Sequence, residues 1–140
     1  MIEISIVSFS DQQQKIQEIR HRVFTVEQQV DPNIDFDGLD GIATQVLAYS
    51  DGIAVATGRI LSDGHIGRIA VLQEYRGKGI GSNIIQSLVS QAREAGIAKA
   101  FLGSQVKAVP FYEKLGFRAA GENYIEANIL HTPMEMTLGD

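Results

Sequence analysis

Glu74–Leu88 reads EYRGKGIGSNIIQSL. Three glycines and two cations fall within six residues, Arg76 to Gly81, and an amphipathic helix pattern follows at once. Ile80, Ile84, Leu88 and Ala92 share one stripe, with Ile85 and Val89 beside it, which predicts a helix packed on a sheet. The first turn of such a helix leaves N–H groups without intrahelical partners, and the helix dipole favours negative charge there. Glycines allow close approach to the backbone and positive φ. Arg76 and Lys78 add charge-assisted contacts. The stretch reads as an anion cradle between a strand and a helix; the alternative is a glycine-rich turn with solvated cations. It fits neither common nucleotide fingerprint. A P-loop wants G-x-x-x-x-G-K-[ST], but Gly79 follows Gly77-Lys78. A Rossmann turn wants G-x-G-x-x-G, but Ser82 stands where the last glycine belongs.

Upstream, Ile2, Ile4 and Ile6 alternate with Glu3 and Ser5, which predicts a strand. Ser10 or Asp11 is the expected N-cap of a helix carrying Ile16, Ile19, Val23 and Val26 to about Gln28. Val30–Gly41, VDPNIDFDGLDG, reads as a loop. Strands are expected at Gln45–Ser50 and Ile53–Leu61, joined by an SDG turn, and a second SDG at Ser62–Gly64 leads into a strand at His65–Leu72. Downstream, Gly96 stops the helix. A strand follows at Ala98–Gly103, then a helix at Lys107–Leu115 with Pro110 in its first turn. Strands at Phe117–Tyr124 and Ile129–Leu138 close the chain. The order β-α-β-β-β-α-β-α-β-β predicts an α/β domain with a mixed sheet.

The chain's 140 residues predict one domain over 1–140. With no cysteine, a disulfide scaffold, a cysteine nucleophile and thiolate metal sites are excluded, and a reducing cytoplasmic setting fits. The first residues, MIEISIVSFSD, show no signal-peptide pattern. No apolar run approaches the ~20 residues of a membrane span. A formal net charge of −5 argues against a nucleic-acid or anionic-membrane partner. Asp31, Asp35, Asp37 and Asp40 invite a calcium-loop reading, but the positions that an EF-hand gives to Gly and Glu hold Phe36 and Ile42. No HExxH and no Cys/His cluster occurs, so no metal is expected, and Ser104 has no G-x-S-x-G frame to make it a nucleophile.

Ala70–Ile85, AVLQEYRGKGIGSNII, resembles the acyl-CoA binding motif of the GNAT N-acetyltransferase superfamily, whose core [RQ]-x-x-G-x-[GA] is met by Arg76, Gly79 and Gly81. Ala108–Phe117, AVPFYEKLGF, resembles the same superfamily's A-x-x-F-Y-x-x-x-G-F signature, in the family's order and spacing. The upstream IRHRVFTVEQQV and DFDGLD and the late ILHTPM are similar to a branch of small bacterial GNAT proteins. The resemblance implies a V-shaped split between the strand ending near Leu72 and the strand at Ala98–Gly103. The pantetheine arm would pair there with Ile69, Ala70 and Val71. The pyrophosphate would rest on Arg76, Gly77, Lys78, Gly79, Ile80, Gly81 and Ser82. Phe111 is carried as a coenzyme contact and as core. Tyr112 would protonate the leaving thiolate.

The implied activity is transfer of an acetyl group from acetyl-CoA to the primary amine of a small molecule, by direct attack in a ternary complex. The alternatives are a GNAT-like module that binds acyl-CoA without turnover, and a protein or peptide N-acetyltransferase. A homodimer is the family expectation. The base is open among Glu27, Asp37, Asp40, His65, Glu126, His131 and a relayed water, with Glu27 expected to flank the acceptor cleft. The aspartates of Val30–Gly41 form either a solvated acidic loop or an entrance that attracts a cationic amine. Gln105 either orients substrate, pairs with pantetheine or makes a local helix-entry bond.

Overall fold

The computed structural model describes residues 1–139. Strand β1 (Ile2–Val7) leads into helix α1 (Phe9–Arg20), which runs on as a π-helix over His21–Glu27. The N-cap is Ser8, whose Oγ accepts from the Asp11 N–H, rather than the expected Ser10 or Asp11. The expected loop contains a short helix, α2 (Pro32–Asp35), capped by the Asp31 side chain. Strands β2 (Thr44–Ser50), β3 (Ile53–Ile60) and β4 (Ile66–Val71) follow, then α3 (Ile80–Glu94), β5 (Lys99–Gln105) and α4 (Val109–Lys114).

The end of the chain departs from expectation. In place of one strand over Phe117–Tyr124, two short strands appear, β6 (Arg118–Ala119) and β7 (Tyr124–Glu126), both paired with β8 (Ile129–Thr137). Pro133 explains the break. Its carbonyl accepts from the Ala120 N–H at 2.8 Å. Proline has no N–H to return, so the ladder on that side of β8 is interrupted. Ala127 and Asn128, both at positive φ, then form the β7–β8 turn.

The α/β class holds, but the sheet is two sheets. One has the order β1-β2-β3-β4 and the other β5-β8-β6, with β7 on β8, and all these pairings are antiparallel. The sheets meet where β4 begins. A parallel bridge joins His65 to Phe101, and the Phe101 N–H donates to the Gly64 carbonyl at 3.0 Å. Beyond that point β4 and β5 separate. Gln45–Ala48 and Val55–Ile60 are buried on both strand faces, which requires cover on both sides of the sheet. Helices α1 and α3 supply it. Ile80, Ile84, Ile85, Leu88, Val89 and Ala92 of α3 are all buried, as their spacing predicts.

Candidate active site

The split between β4 and β5 is the floor of a cavity of about 1200 Å³. One of its walls is the glycine turn. Gly79 is the N-cap of α3 at φ +81°, and no side chain caps the helix. A Cβ on Gly79 would meet nothing within 4 Å, so the space over the first helical N–H groups is open. Gly77, Gly79, Ile80, Gly81 and Ser82 line the cavity. Lys78 is not among the lining residues; its Nζ lies 5.3 Å from the Tyr75 ring centroid.

Ile69, Ala70 and Val71 line the cavity from β4. Their backbone orientation follows from the ladder. The Leu72 N–H donates to the Val55 carbonyl, toward β3. By strand alternation the Val71 N–H and C=O point the other way, into the split. The Arg76 Nε–H donates to that Val71 carbonyl at 2.9 Å. The Val71 N–H faces the open side.

A β-bulge sits one step earlier. Arg59 pairs with Gly67 and Thr57 with Ala70, so Arg68 and Ile69 both stand opposite Gly58. Arg68 has φ +56°. Its side chain reaches over the bulge to the Asp35 carbonyl at 3.0 Å, the Ile34 carbonyl at 3.3 Å and Asp37 Oδ2 at 3.2 Å. The bulge turns β4 away from β5 and opens the split.

Glu27 and Arg76 come together. Arg76 Nη1 donates to Glu27 Oε2 at 2.6 Å and Nη2 to Oε1 at 2.7 Å. This fork holds the Glu27 carboxyl below its ordinary pKa. Next to it, Gln28 Oε1 accepts from Gln105 Nε2 at 3.0 Å. The end of the π-helix is therefore tied to both arms of the split, and Gln105 bonds across the cavity rather than locally. π-helical turns are rare and often sit at functional sites.

Tyr112 lines the cavity from α4, and its ring meets Phe111 and Phe117 edge-on, with centroids at 5.0 and 6.0 Å. Burial pushes its pKa up to about 12. Phe111 also lines the cavity, while Phe117 is core.

The acidic loop is solvated at Asp31 and Asp37, and arginines offset the charge of Asp35, Asp37 and Asp40. Asp35 and Asp40 are buried. Arg20, fully buried, binds Asp35 and Asp40, and Arg59 binds Asp37 and Asp40. The fork from Arg59 holds Asp37 well below the usual carboxylate range. Burial pushes Asp40 up, but Arg20 and Arg59 more than offset it, so Asp40 also lies below its ordinary value. With their charges committed to arginines, Asp37 and Asp40 are poor bases. Only Asp31 and Asp37 keep an Asx turn, to the Asn33 and Leu39 N–H groups.

A two-sheet fold split over a glycine turn defines an acyl-CoA-dependent N-acetyltransferase. Residues 9–138 match the family model described as "Acetyltransferase (GNAT) domain". The chain belongs to the GNAT acetyltransferase family. A Bacillus subtilis (strain 168) relative that carries an acetyltransferase name is 39% identical over 123 residues, 84% of each chain. Among solved structures, an acyl-CoA N-acyltransferase from Pseudomonas aeruginosa is 26% identical with a TM-score of 0.86, over 97% of this chain and 99% of that one. ElaA of Escherichia coli is 29% identical with a TM-score of 0.84, over 97% and 99% of the two chains.

Proposed function

We propose that this enzyme moves the acetyl group of acetyl-CoA to the primary amine of a small molecule, by direct attack in a ternary complex. The observation that carries the reading is the split. It is closed at His65–Phe101, opens past the Arg68 bulge, and leads to the bare first turn of α3. An anionic coenzyme held on Arg76–Ser82 extends its arm along Ile69–Val71 and delivers the thioester toward the closed end. The volume of about 1200 Å³ exceeds the roughly 300–1,000 Å³ of a pocket for one small ligand, which supports room for a donor arm and a small acceptor.

The amine nitrogen bonds to the acyl carbon while the C–S bond breaks, and sulfur leaves as thiolate. The Val71 N–H, turned into the split, donates to the carbonyl oxygen as it gains charge. The attacking nitrogen must give up a proton. Free alkyl amines titrate near ~10.4, so few are neutral at physiological pH. Glu27 stands as proton acceptor, made weak by Arg76. Tyr112 donates a hydrogen bond to the departing sulfur. With its pKa near 12, outright proton transfer to a thiolate of pKa ~8.5 is uphill by about 5 kcal/mol, so the final proton comes from solvent.

Release of free CoA from acetyl-CoA across a panel of polyamines, amino sugars, amino acids, arylalkyl amines and peptides tests the proposal. Amine-dependent release by the wild-type enzyme, slowed in Tyr112→Phe, is the expected result. CoA binding with no amine-dependent release anywhere in the panel would leave a binding module instead.

A further inference from the structure

Three carboxylates line the cavity: Glu27, Asp35 and Glu126. Two are already neutralised, Glu27 by Arg76 and Asp35 by Arg20 and Arg68. Glu126 forms no ion pair among the described residues. Its position is set by β7, where alternation puts Tyr124 and Glu126 on the cavity face and leaves Ile125 72% exposed on the other.

Tyr124 stands opposite His131 in the β7–β8 register, and the two rings stack at 5.6 Å and 16°. A Cβ on Gly103 would lie 1.9 Å from the Tyr124 hydroxyl, so only glycine on β5 lets the phenol lie against that strand. This sets the Tyr124 ring beside the split, in the half where β4 and β5 converge. Glu126 stands opposite Ile129, two residues along β8 from His131, and lines the same cavity as His65, which stacks on Phe101 at the closed end, 4.9 Å between centroids. The unpaired carboxylate thus sits on the hairpin that carries the Tyr124 ring across to the split at Gly103, and both residues line the cavity that the proposed donor path enters. The donor end has the opposite polarity, with Lys107 close to the Glu27–Arg76 pair and in no ion pair of its own among the described residues. Phe24, Ile34, Ile129 and Leu130 supply apolar lining.

Resting on the acetyl-transfer reading of the same cavity, we propose that Glu126 and the ring of Tyr124 form the acceptor subsite, and that it takes a cationic primary amine with an apolar or aromatic body. The ammonium form that dominates in solution is drawn to Glu126 and to the Tyr124 ring face. The apolar body lies on the β7–β8 hairpin and the π-helix. The ammonium then gives up its proton to Glu27, the weak acceptor of the proposed reaction, before the neutral amine attacks.

The test uses two isomers, phenethylamine, a cation at neutral pH, and 4-ethylaniline, which is neutral there. Binding of each to the CoA-saturated protein is measured by calorimetry, independent of turnover. Glu126→Gln should weaken phenethylamine about fivefold, in the range of an exposed ion pair, and leave 4-ethylaniline unchanged. Tyr124→Phe, which keeps the ring, should bind phenethylamine like the wild type, and Tyr124→Leu should bind it more weakly. CoA affinity should be the same in all variants. Failure of phenethylamine to bind, or a Glu126→Gln effect that is equal for the two isomers or absent, overturns the subsite. Failure of the wild-type protein to bind CoA overturns the donor reading instead, so the two failures are distinct.

Discussion

Glu27 and Arg76 meet fork to fork, with both carboxylate oxygens accepting from guanidinium nitrogens at 2.6 and 2.7 Å. One residue ends the π-helix and the other opens the glycine turn, so the pair ties the π-helix to the turn before α3. Because Arg76 holds Glu27 below its ordinary pKa, Glu27 stays ionised across the physiological range. A kcat/KM profile should therefore show no ionisation of an enzyme base between about pH 6 and 8. Instead it should rise about tenfold per pH unit toward the pKa of the amine, near ~10.4. A plateau beginning near neutrality would assign proton removal to an enzyme group other than Glu27.

Gly79→Glu should raise the Kd for CoA by about tenfold or more, since the new carboxylate opposes an anion at the positive end of α3. A side chain at φ +81° also strains the N-cap. Calorimetry reads the affinity, and an unchanged Tm with unchanged CoA binding would remove the anchor. Gly81→Glu adds a second reading of the same cradle. Its Cβ faces Phe111 at 3.5 Å and Val71 at 3.8 Å, so the new carboxylate enters the cavity itself.

Tyr112→Phe should lower kcat by about tenfold to a hundredfold, the worth of one hydrogen bond to a developing charge. CoA affinity should hold, because the ring and its contacts with Phe111 and Phe117 persist. A wild-type kcat would reduce Tyr112 to packing.

Local patterns carried the reading of the sequence a long way. The α3 stripe, the glycine turn and the FYEKLGF helix each lie within one short window, and each stands where its pattern put it. What escaped was non-local. The bulge at Arg68 and Ile69 is set by three strands and a helix meeting at Gly58, where a Cβ would lie 2.6 Å from Ile69 and 2.8 Å from Ile84. A glycine inside a strand was its one signal. Arg20 lies four residues after Ile16, within the apolar stripe of α1, a position that points a cation at the core. Its partners are 15 and 20 residues further on, so the burial of Asp35 and Asp40 could not be read from the loop alone. Pro133 divided β6 from β7 through a missing donor, visible only once its partner strand is known.

The buried arginine–aspartate cluster makes the fold acid-sensitive in a defined window. Asp40 Oδ1 accepts from Arg20 Nη1 at 2.6 Å, from Arg59 Nη1 at 2.9 Å and from Gln45 Nε2 at 3.2 Å. Asp37 and Asp40 both have folded-state pKa values below their unfolded value of ~3.9. Their contribution is thus complete above that value and is lost as pH falls below it toward the folded pKa values. Urea melts of the wild-type protein should give a stability that this cluster leaves level from about pH 5 to 7 and that drops below about pH 4. Asp40→Asn leaves Arg20 with Asp35 and Arg59 with Asp37, so the guanidiniums of Arg20, Arg59 and Arg68 share two carboxylates and one positive charge is uncompensated; at neutral pH this should destabilise by on the order of 3–5 kcal/mol. That corresponds to a Tm lower by roughly 10 °C or more. The variant should also lose part of the acid dependence, because one of the carboxylates that titrate is gone. A variant that matches the wild type at neutral pH and falls as steeply below pH ~4 would place the acid sensitivity outside this cluster.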